Sequence, residues 1–283
     1  MYKLAWNISF HWQLDQLKFH LDNILNFDCV KDSEFVFTSA HEQNMIAIHT
    51  WLEEKYPDTK ANYIFLEEDK GNHIGCIQNV TEGIKYIKEN LTYDYLINVE
   101  ADNMFWSEEN LMQLLMDLHK NVKSMLLVDH DSIYGPGLIK KHDQAPCKYY
   151  HTTTLNIYSK RFIDDFFPVE YEEEFMNYGW CGAPGTPYES YLALSMAKKN
   201  DLYEEEKMVD FFIEHALKLD YDQKRKEFDH LYVPDDLTPD RFMKYGILNC
   251  PNARDSKGAS QPDIWLIAKE FIEKHEPLMY DYE

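Results

Sequence analysis

Basic residues are scarce in this sequence. Its 283 residues contain 28 Lys and Arg against 50 Asp and Glu, which gives a formal charge of −22. A nucleic-acid-binding protein needs a basic surface, because its phosphate contacts require positive side chains. The balance therefore argues against a nucleic-acid partner. It does not exclude a nucleotide, since a bound divalent cation can bring phosphate to an acidic site.

Patterned cysteines and long apolar runs are also missing. The five cysteines are scattered without a Cys-x-x-Cys pair, which argues against a disulfide framework and favours a reducing compartment. No apolar stretch reaches 18 residues, and the opening MYKLAWNISFHW lacks the apolar core of a signal peptide. We therefore expect no transmembrane segment and a soluble, cytoplasmic protein.

The glycine-rich phosphate loops of several enzyme classes are absent. After the first predicted strand the chain reads NISFHWQLDQL, with no glycine and no basic residue before Lys18. This rules out a Rossmann dehydrogenase, which needs G-x-G-x-x-G there, and argues against a sugar nucleotidyltransferase. A P-loop kinase and a serine hydrolase are excluded because neither G-x-x-x-x-G-K-[ST] nor G-x-S-x-G occurs.

The first 130 residues alternate regularly between strand and helix patterns. Strands are predicted at 2–8, 34–40, 61–67, 95–99 and 124–130, and helices at 12–26, 42–56, 76–90 and 107–121. This alternation predicts an α/β fold, a mostly parallel sheet with helices on both faces. Ligands of such sheets gather at the carboxyl ends of the strands.

The second half of the chain is less regular. Residues 147–160 predict a strand, and a Gly- and Pro-containing loop precedes a helix that begins near Tyr188. Residues 207–215 fit either a strand or a short helix, and the tail predicts a helix near 262–275. No linker interrupts the sequence, so we expect a single domain over 1–283.

The fourth predicted strand ends in a pair of acids. In DYLINVEADN, Glu100 and Asp102 stand one residue apart, with Asn103 beside them. Two such carboxylates repel each other unless a positive charge lies between them. Oxygen ligands of this kind select Mg²⁺ or Mn²⁺ over softer metals. The alternative is a solvated acidic turn, since charged residues are mostly exposed.

The stretch GNHIGCIQNVTEGIKYIKENLTYDYLINVEADN resembles the donor-binding part of GT-A glycosyltransferases, the nucleotide-diphospho-sugar transferases. In that family a Gly-containing turn leads to a helix carrying an Asn. The next strand ends in a D-x-D motif that holds the metal and the sugar-nucleotide diphosphate. Gly75 and Asn79 match the turn and the helix. Glu100-Ala101-Asp102 matches the motif, with Glu where Asp is commoner.

The resemblance implies a GT-A-like, Rossmann-like sheet and a metal-dependent glycosyltransferase. Residues 1–130 would form the nucleotide-sugar-binding half, and residues 131–283 the acceptor-side half with a helical tail. The donor would be a UDP- or GDP-sugar, and the acceptor a hydroxyl, as on a glycan. The alternative is a catalytically degenerate carbohydrate- or nucleotide-binding protein of the same fold.

An inverting transferase also needs a general base for the acceptor hydroxyl. In many inverting family members this carboxylate opens a helix after a flexible loop, and Glu189 in GAPGTPYESYLAL fits that place. A helix N-terminus favours the ionised carboxylate, which a base requires. Equally, Glu189 could serve only to complement the helix dipole.

Family members often add a downstream His as a metal ligand. His215 closes KMVDFFIEH, 26 residues after Glu189, and His230 is the competing candidate. Taken alone, either side chain would be a surface or packing residue. An imidazole ligand would suit Mn²⁺ better than Mg²⁺.

Other residues are candidates for binding the two substrates. The residues near the predicted strand ends are assigned to the donor: Asn7, Ser9, Ser39, Lys70 and Asn103. Gly75 and Asn79 are assigned to the donor as well. Those in the Gly- and Pro-containing loop are assigned to the acceptor because aromatic faces suit a sugar ring: Tyr178 and Trp180. Strand-end capping, solvated turns and core packing are the alternatives.

Overall fold

The computed structural model describes most of the first half of the chain and separate parts of the second. The described residues are 2–10, 14–68, 70, 72–100, 103–105, 107–127, 140–141, 149–150, 155–175, 188–218 and 247–249. Several predicted features lie outside them: Asp102, Tyr178, Trp180, His230 and the helix near 262–275.

Strands and helices alternate through the described residues. The strands are β1 (Leu4–Ser9), β2 (Glu34–Ser39), β3 (Lys60–Phe65), β4 (Tyr95–Glu100), β5 (Asn103–Phe105), β6 (Met125–Leu127), β7 (Lys140–Lys141), β8 (Tyr149–Tyr150), β9 (Leu155–Ser159), β10 (Ala216–Lys218) and β11 (Ile247–Asn249). The helices are α1 (Leu14–Ile24), α2 (Glu42–Lys55), α3 (Asn72–Asn90), α4 (Glu108–Lys120), α5 (Lys160–Asp165), α6 (Tyr188–Asn200) and α7 (Glu205–His215). Within this part of the chain, no helix is long and apolar enough to cross a bilayer.

A mixed sheet forms the centre of the fold. Its strand order is β10-β6-β9-β4-β1-β2-β3. Only β9 runs antiparallel to its neighbours β4 and β6, and the other pairings are parallel. Two short antiparallel pairs, β11-β5 and β7-β8, lie outside this sheet. The predicted α/β fold with a mostly parallel sheet is therefore confirmed.

The strand order reverses at β1. The chain moves outward through β2 and β3 by way of α1 and α2, and α3 then carries it back to β4 on the other side of β1. Helices α1, α2 and α4 pack on one face of the sheet, whereas α3, α5, α6 and α7 pack on the other. Such a reversal leaves a crevice outside the carboxyl ends of the two diverging strands, here β1 and β4.

Some element boundaries differ from the predicted ones. Helix α3 begins at Asn72 instead of residue 76, so Gly75 lies within the helix and not in a turn before it. Within the predicted strand 147–160 the structure describes β8 and β9, and β9 leads directly into α5. This helix starts where the Ser159 hydroxyl accepts a hydrogen bond from the Phe162 N–H at 3.2 Å, an N-cap. Residues 207–215 belong to a helix, α7.

Candidate active site at the carboxyl edge of the sheet

The carboxyl edge is the edge of the central sheet at which its parallel strands end. There the last residue of β1, Ser9, is in register with the last residue of β4, Glu100. On its other side Ser9 is in register with Thr38 of β2. The predicted acidic motif therefore begins at the crevice where the strand order reverses, in the middle of the sheet.

Two helices begin at this same edge. Near the end of α3, Lys88 Nζ donates to the Ile163 carbonyl at 3.3 Å, and near the end of α6, Lys199 Nζ donates to the Phe167 carbonyl at 2.8 Å. Both carbonyls follow β9, which runs antiparallel and therefore ends at the opposite edge of the sheet, the amino edge. Since both helices end at the amino edge, they begin toward the carboxyl edge.

Glu189 is the second residue of α6. This helix of 13 residues is about 20 Å long, enough to run from one edge of the sheet to the other. The backbone of Glu189 thus lies at the edge where β4 ends in Glu100. The structure brings these two predicted residues to the same side of the molecule.

Lys70 also lies at the carboxyl edge. It lies five residues after the end of β3, is exposed, and places its ammonium group 5.6 Å from the centre of the Tyr171 ring. Tyr171 in turn packs against Tyr191 of α6, with 6.3 Å between the ring centres. The lysine therefore bridges the end of β3 and the segment beside α6, and its charge remains open to solvent.

Asn7 lies deeper in the fold than predicted. Its side chain is fully buried, and its Nδ2 donates to the Val80 carbonyl at 3.1 Å and to Asn98 Oδ1 at 2.7 Å. A Cβ placed on Gly83 would lie only 1.9 Å from Asn7 Oδ1, so the glycine allows α3 to pack directly on this side chain. The prediction that Asn7 binds the donor is not supported, because these contacts keep the amide beneath α3.

Asn98 and Asn156 were not predicted to have a role, although they continue this polar row. Asn98 of β4 is in register with Asn7 on one side and with Asn156 of β9 on the other, and all three are buried. The only sequence signal is one Asn within each of three mainly apolar strands, all three of which end in a polar residue. Nothing local identifies the three residues as neighbours.

The remaining donor candidates differ in their surroundings. Ser39 is fully buried and its Oγ accepts from the His41 N–H at 3.1 Å, so it stabilises the start of α2. Ser9 keeps 8% of its surface exposed at the carboxyl edge. Gly75 and Asn79 are one helical turn apart on α3, and Asn79 is buried. Asn103 is the first residue of β5.

His215 lies at the other edge of the sheet. It immediately precedes β10, which is parallel to β6, and its Nδ1 is 3.2 Å from Ser124 Oγ. The strand registers separate it from Glu100 by five residues along the strands and three strands across, which is roughly 20 Å. The predicted metal ligand is therefore wrong, because ligands of one ion lie within about 2–2.6 Å of it.

Packing explains His215 better than metal binding does. Its ring is 4.5 Å from Phe166 and 4.7 Å from Phe211 between ring centres, and burial lowers the pKa of its imidazole. With it removed, the acidic motif offers oxygen donors only, which suit Mg²⁺ and Mn²⁺ equally well. Among the residues that the structure describes, no three His, Cys, Asp or Glu side chains cluster as a metal site.

No protein-family model and no curated protein matches the sequence. Among solved structures, the mannosyltransferase PcManGT from Pyrobaculum calidifontis, in complex with GDP-Man and Mn²⁺, is similar with a TM-score of 0.46 and 13% identity. The match covers 69% of this chain and 52% of that one. S. aureus TarS 1-349 is similar with a TM-score of 0.44 and 13% identity, over 70% of this chain and 56% of that one.

TarS 1-349 in complex with UDP-GlcNAc also matches, with a TM-score of 0.41 and 13% identity. That match covers 59% of this chain and 49% of the other. The chain thus spans about half the length of these structures. At such low identity and TM-score, function has to be inferred from the residues of this chain.

Proposed function

We propose that this protein is a metal-dependent glycosyltransferase that uses a nucleotide-diphosphate sugar, a UDP- or GDP-sugar, as donor. One observation carries the proposal: β4 ends in Glu100, which is in register with Ser9 of β1 where the strand order reverses. Asp102 follows two residues later in the sequence, and Glu189 opens α6 at the same edge. Acids at such a crevice suit a cation with a diphosphate.

In this proposal Glu100 and Asp102 hold a divalent ion, Mg²⁺ or Mn²⁺. When bound, the ion neutralises negative charge on the diphosphate leaving group. Lys70 supplies positive charge toward the same phosphates from the end of β3. The donor would also contact Ser9, Gly75, Asn79 and Asn103, whereas Tyr178 and Trp180 would stack on the acceptor sugar.

Glu189 is proposed as the general base. Its carboxylate takes the proton of the acceptor hydroxyl, and the acceptor oxygen forms a bond to the anomeric carbon of the donor. The bond from that carbon to the diphosphate oxygen breaks, and the nucleoside diphosphate leaves with the electron pair. Attack from the side opposite the leaving group inverts the anomeric centre. The N-terminus of α6 favours the ionised carboxylate.

Calorimetric titration with UDP and with GDP, each with and without Mn²⁺ or Mg²⁺, tests the donor site. We expect binding that requires the ion, and Asp102→Asn should weaken this ion-dependent binding at least tenfold. The matched control is Asp58→Asn, an exposed aspartate just before β3 at the amino edge, which should bind as the wild type does. Binding that ignores the ion would overturn the metal-dependent proposal and favour the degenerate binding protein.

Turnover tests the base, with UDP-GlcNAc and GDP-Man, the sugar nucleotides of the similar structures, as the first donors. Glu189→Gln should lower the rate of sugar transfer by about 10²–10⁴-fold, since it removes the proton acceptor, and leave donor affinity unchanged. Wild-type turnover in this variant would contradict the assignment of Glu189.

A further inference from the structure

We propose that His20 and Asn23 of α1 are positioning residues that hold the acidic segment 100–102 in place through the backbone of Phe105. The inference deepens the proposed function and rests on it, because it takes that segment to be the ion site. Neither residue is placed at the ion or the substrate. Their effect is transmitted along the chain.

Both polar backbone groups of Phe105 bind to α1. The Phe105 N–H donates to His20 Nε2 at 3.4 Å, and its carbonyl accepts a hydrogen bond from Asn23 Nδ2. Phe105 ends β5, whose partner strand is β11. Successive residues of a strand direct their backbone groups to opposite sides, so the two α1 side chains replace a strand neighbour on the side away from β11.

The Phe105 ring is fixed as well. It is fully buried and meets Trp6 edge-on, with 5.9 Å between ring centres, and Trp6 meets the His20 ring in the same way at 6.4 Å. Because Phe105 is fully buried, loss of either hydrogen bond would leave one of its backbone groups without a partner. Such a loss costs about 1–3 kcal/mol.

The described residues on both sides of 101 and 102 are held by other parts of the fold. Upstream, Glu100 is held in the ladder with Ser9, and downstream Phe105 is held by α1. Only two residues, 101 and 102, lie between β4 and β5. Since consecutive Cα atoms are about 3.8 Å apart, three peptide units reach at most about 11 Å, and we infer that a shift of Phe105 displaces Asp102. In metal sites the metal–ligand distances stay within about 0.2 Å of their usual values.

A histidine at position 20 destabilises the core unless its Nε2 is needed as the acceptor for the Phe105 N–H. Complete burial lowers the pKa of its imidazole to about 3, so the ring is neutral and carries its proton on Nδ1 while Nε2 accepts. That Nδ1 proton has no acceptor among the residues that the structure describes. Fold stability alone would favour an apolar residue here.

Two measurements on four variants test the proposal. Asn23→Ala and His20→Leu each remove one bond to Phe105, and His20→Gln keeps an acceptor in place of Nε2. Asn26→Ala is the matched control, because Asn26 donates to the Asp22 carbonyl of its own segment at 2.5 Å. The measurements are backbone hydrogen exchange over 103–105 and Mn²⁺ affinity in the presence of saturating UDP or GDP.

For Asn23→Ala and His20→Leu we expect exchange to be at least tenfold faster and Mn²⁺ binding about 10–100-fold weaker, as for outer partners of other metal sites. His20→Gln should recover most of both, and Asn26→Ala should match the wild type. His20→Leu should change the melting temperature little, because it removes one unpaired buried group and creates another. A purely structural role would instead lower stability and spare the ion affinity of the folded protein.

Unchanged Mn²⁺ affinity in both Asn23→Ala and His20→Leu, in a wild-type protein that binds Mn²⁺, would overturn this inference alone. A wild-type protein that binds no Mn²⁺ with either nucleotide would overturn the proposed function and this inference with it. If His20→Leu fails to fold, Asn23→Ala decides, because its side chain is only partly buried and close to the end of α1.

Discussion

The two faces of the central sheet are built by the same strands but packed by different means. On the face covered by α1, α2 and α4, β1 contributes Leu4, Trp6 and Ile8, and the surroundings are apolar and rich in aromatic rings. On the face covered by α3 and α6, β1 starts with an alanine and continues with Asn7. Polarity on this second face rises toward the carboxyl edge.

The two faces are therefore stabilised by different interactions. The first face excludes water over a large apolar area, which stabilises in proportion to the area buried. The second face uses a buried asparagine row and one close helix contact at Gly83, which depend on matched hydrogen bonds. Substitutions on the two faces should therefore destabilise the protein for different reasons.

The largest effect is expected on the aromatic face. Trp6→Ala should lower the free energy of unfolding by about 4 kcal/mol, because it leaves a cavity beside Phe35, whose ring stacks on Trp6 at 5.8 Å. Trp6→Phe should cost only about 1 kcal/mol, since the indole N–H has no acceptor among the described residues. Urea denaturation measures both, and equal losses in the two variants would contradict this account.

On the polar face, Gly83→Ala should cost about 3 kcal/mol. The new methyl group would strike Asn7 Oδ1 and approach Thr38 Cγ2 at 3.2 Å, so α3 must shift or the asparagine contacts must break. The control is Glu89→Ala, an exposed position late in α3, which should change stability by less than about 0.5 kcal/mol. Asn7→Ala should rescue part of the loss in a double-mutant cycle.

A smaller effect depends on pH and belongs to the aromatic face. The folded-state pKa of His20, about 3, lies below its unfolded value of 6.5, so only the unfolded state gains a proton as the pH falls through 6.5. Between pH 7.5 and pH 5, wild type should therefore lose about 2 kcal/mol that His20→Gln does not lose. Parallel slopes for the wild type and His20→Gln would refute the prediction.

The smallest effect compares one helix end from each face. After α4, Val122 has φ 54°, and the N–H groups of Val122 and Lys123 bind the carbonyls of His119 and Leu118, a Schellman motif. Val122→Gly should raise stability by about 1 kcal/mol, because a β-branched residue is strained there. After α6, Asp201 has φ 55°, and Asp201→Gly should gain less, since Asp tolerates this conformation better. Thermal melts measure both gains, and a larger gain for Asp201→Gly than for Val122→Gly would contradict this prediction.

The first half of the fold was predictable because its signals are local. The spacing of apolar residues gave every strand from β1 to β4 and the helices between them, with boundaries within a few residues. The position of Glu100 at the carboxyl edge followed too, since a parallel sheet brings its strand ends to one edge. Helix α3 was predicted too short because Gly75 suggested a turn, although glycine is also accommodated within a helix.

The candidate site was only partly predictable. Position in the sequence suggested that His215 could follow Glu189 into one site, yet β10 enters the sheet beside β6 and leaves that histidine at the amino edge. Likewise, Asn7 near a strand end suggested donor binding, but α3 covers it. In both cases the deciding contact joins residues more than 70 positions apart, which no local pattern encodes.

By itself, the sequence determined the alternation of strands and helices and the acid that ends β4, Glu100, because periodicity and strand ends are properties of short segments. Tertiary structure alone decided that β9 inserts antiparallel between β4 and β6, that three buried asparagines lie in register on β1, β4 and β9, and that α1 binds the backbone of Phe105. These features depend on which strand lies beside which, and that choice is made by the packing of the whole sheet.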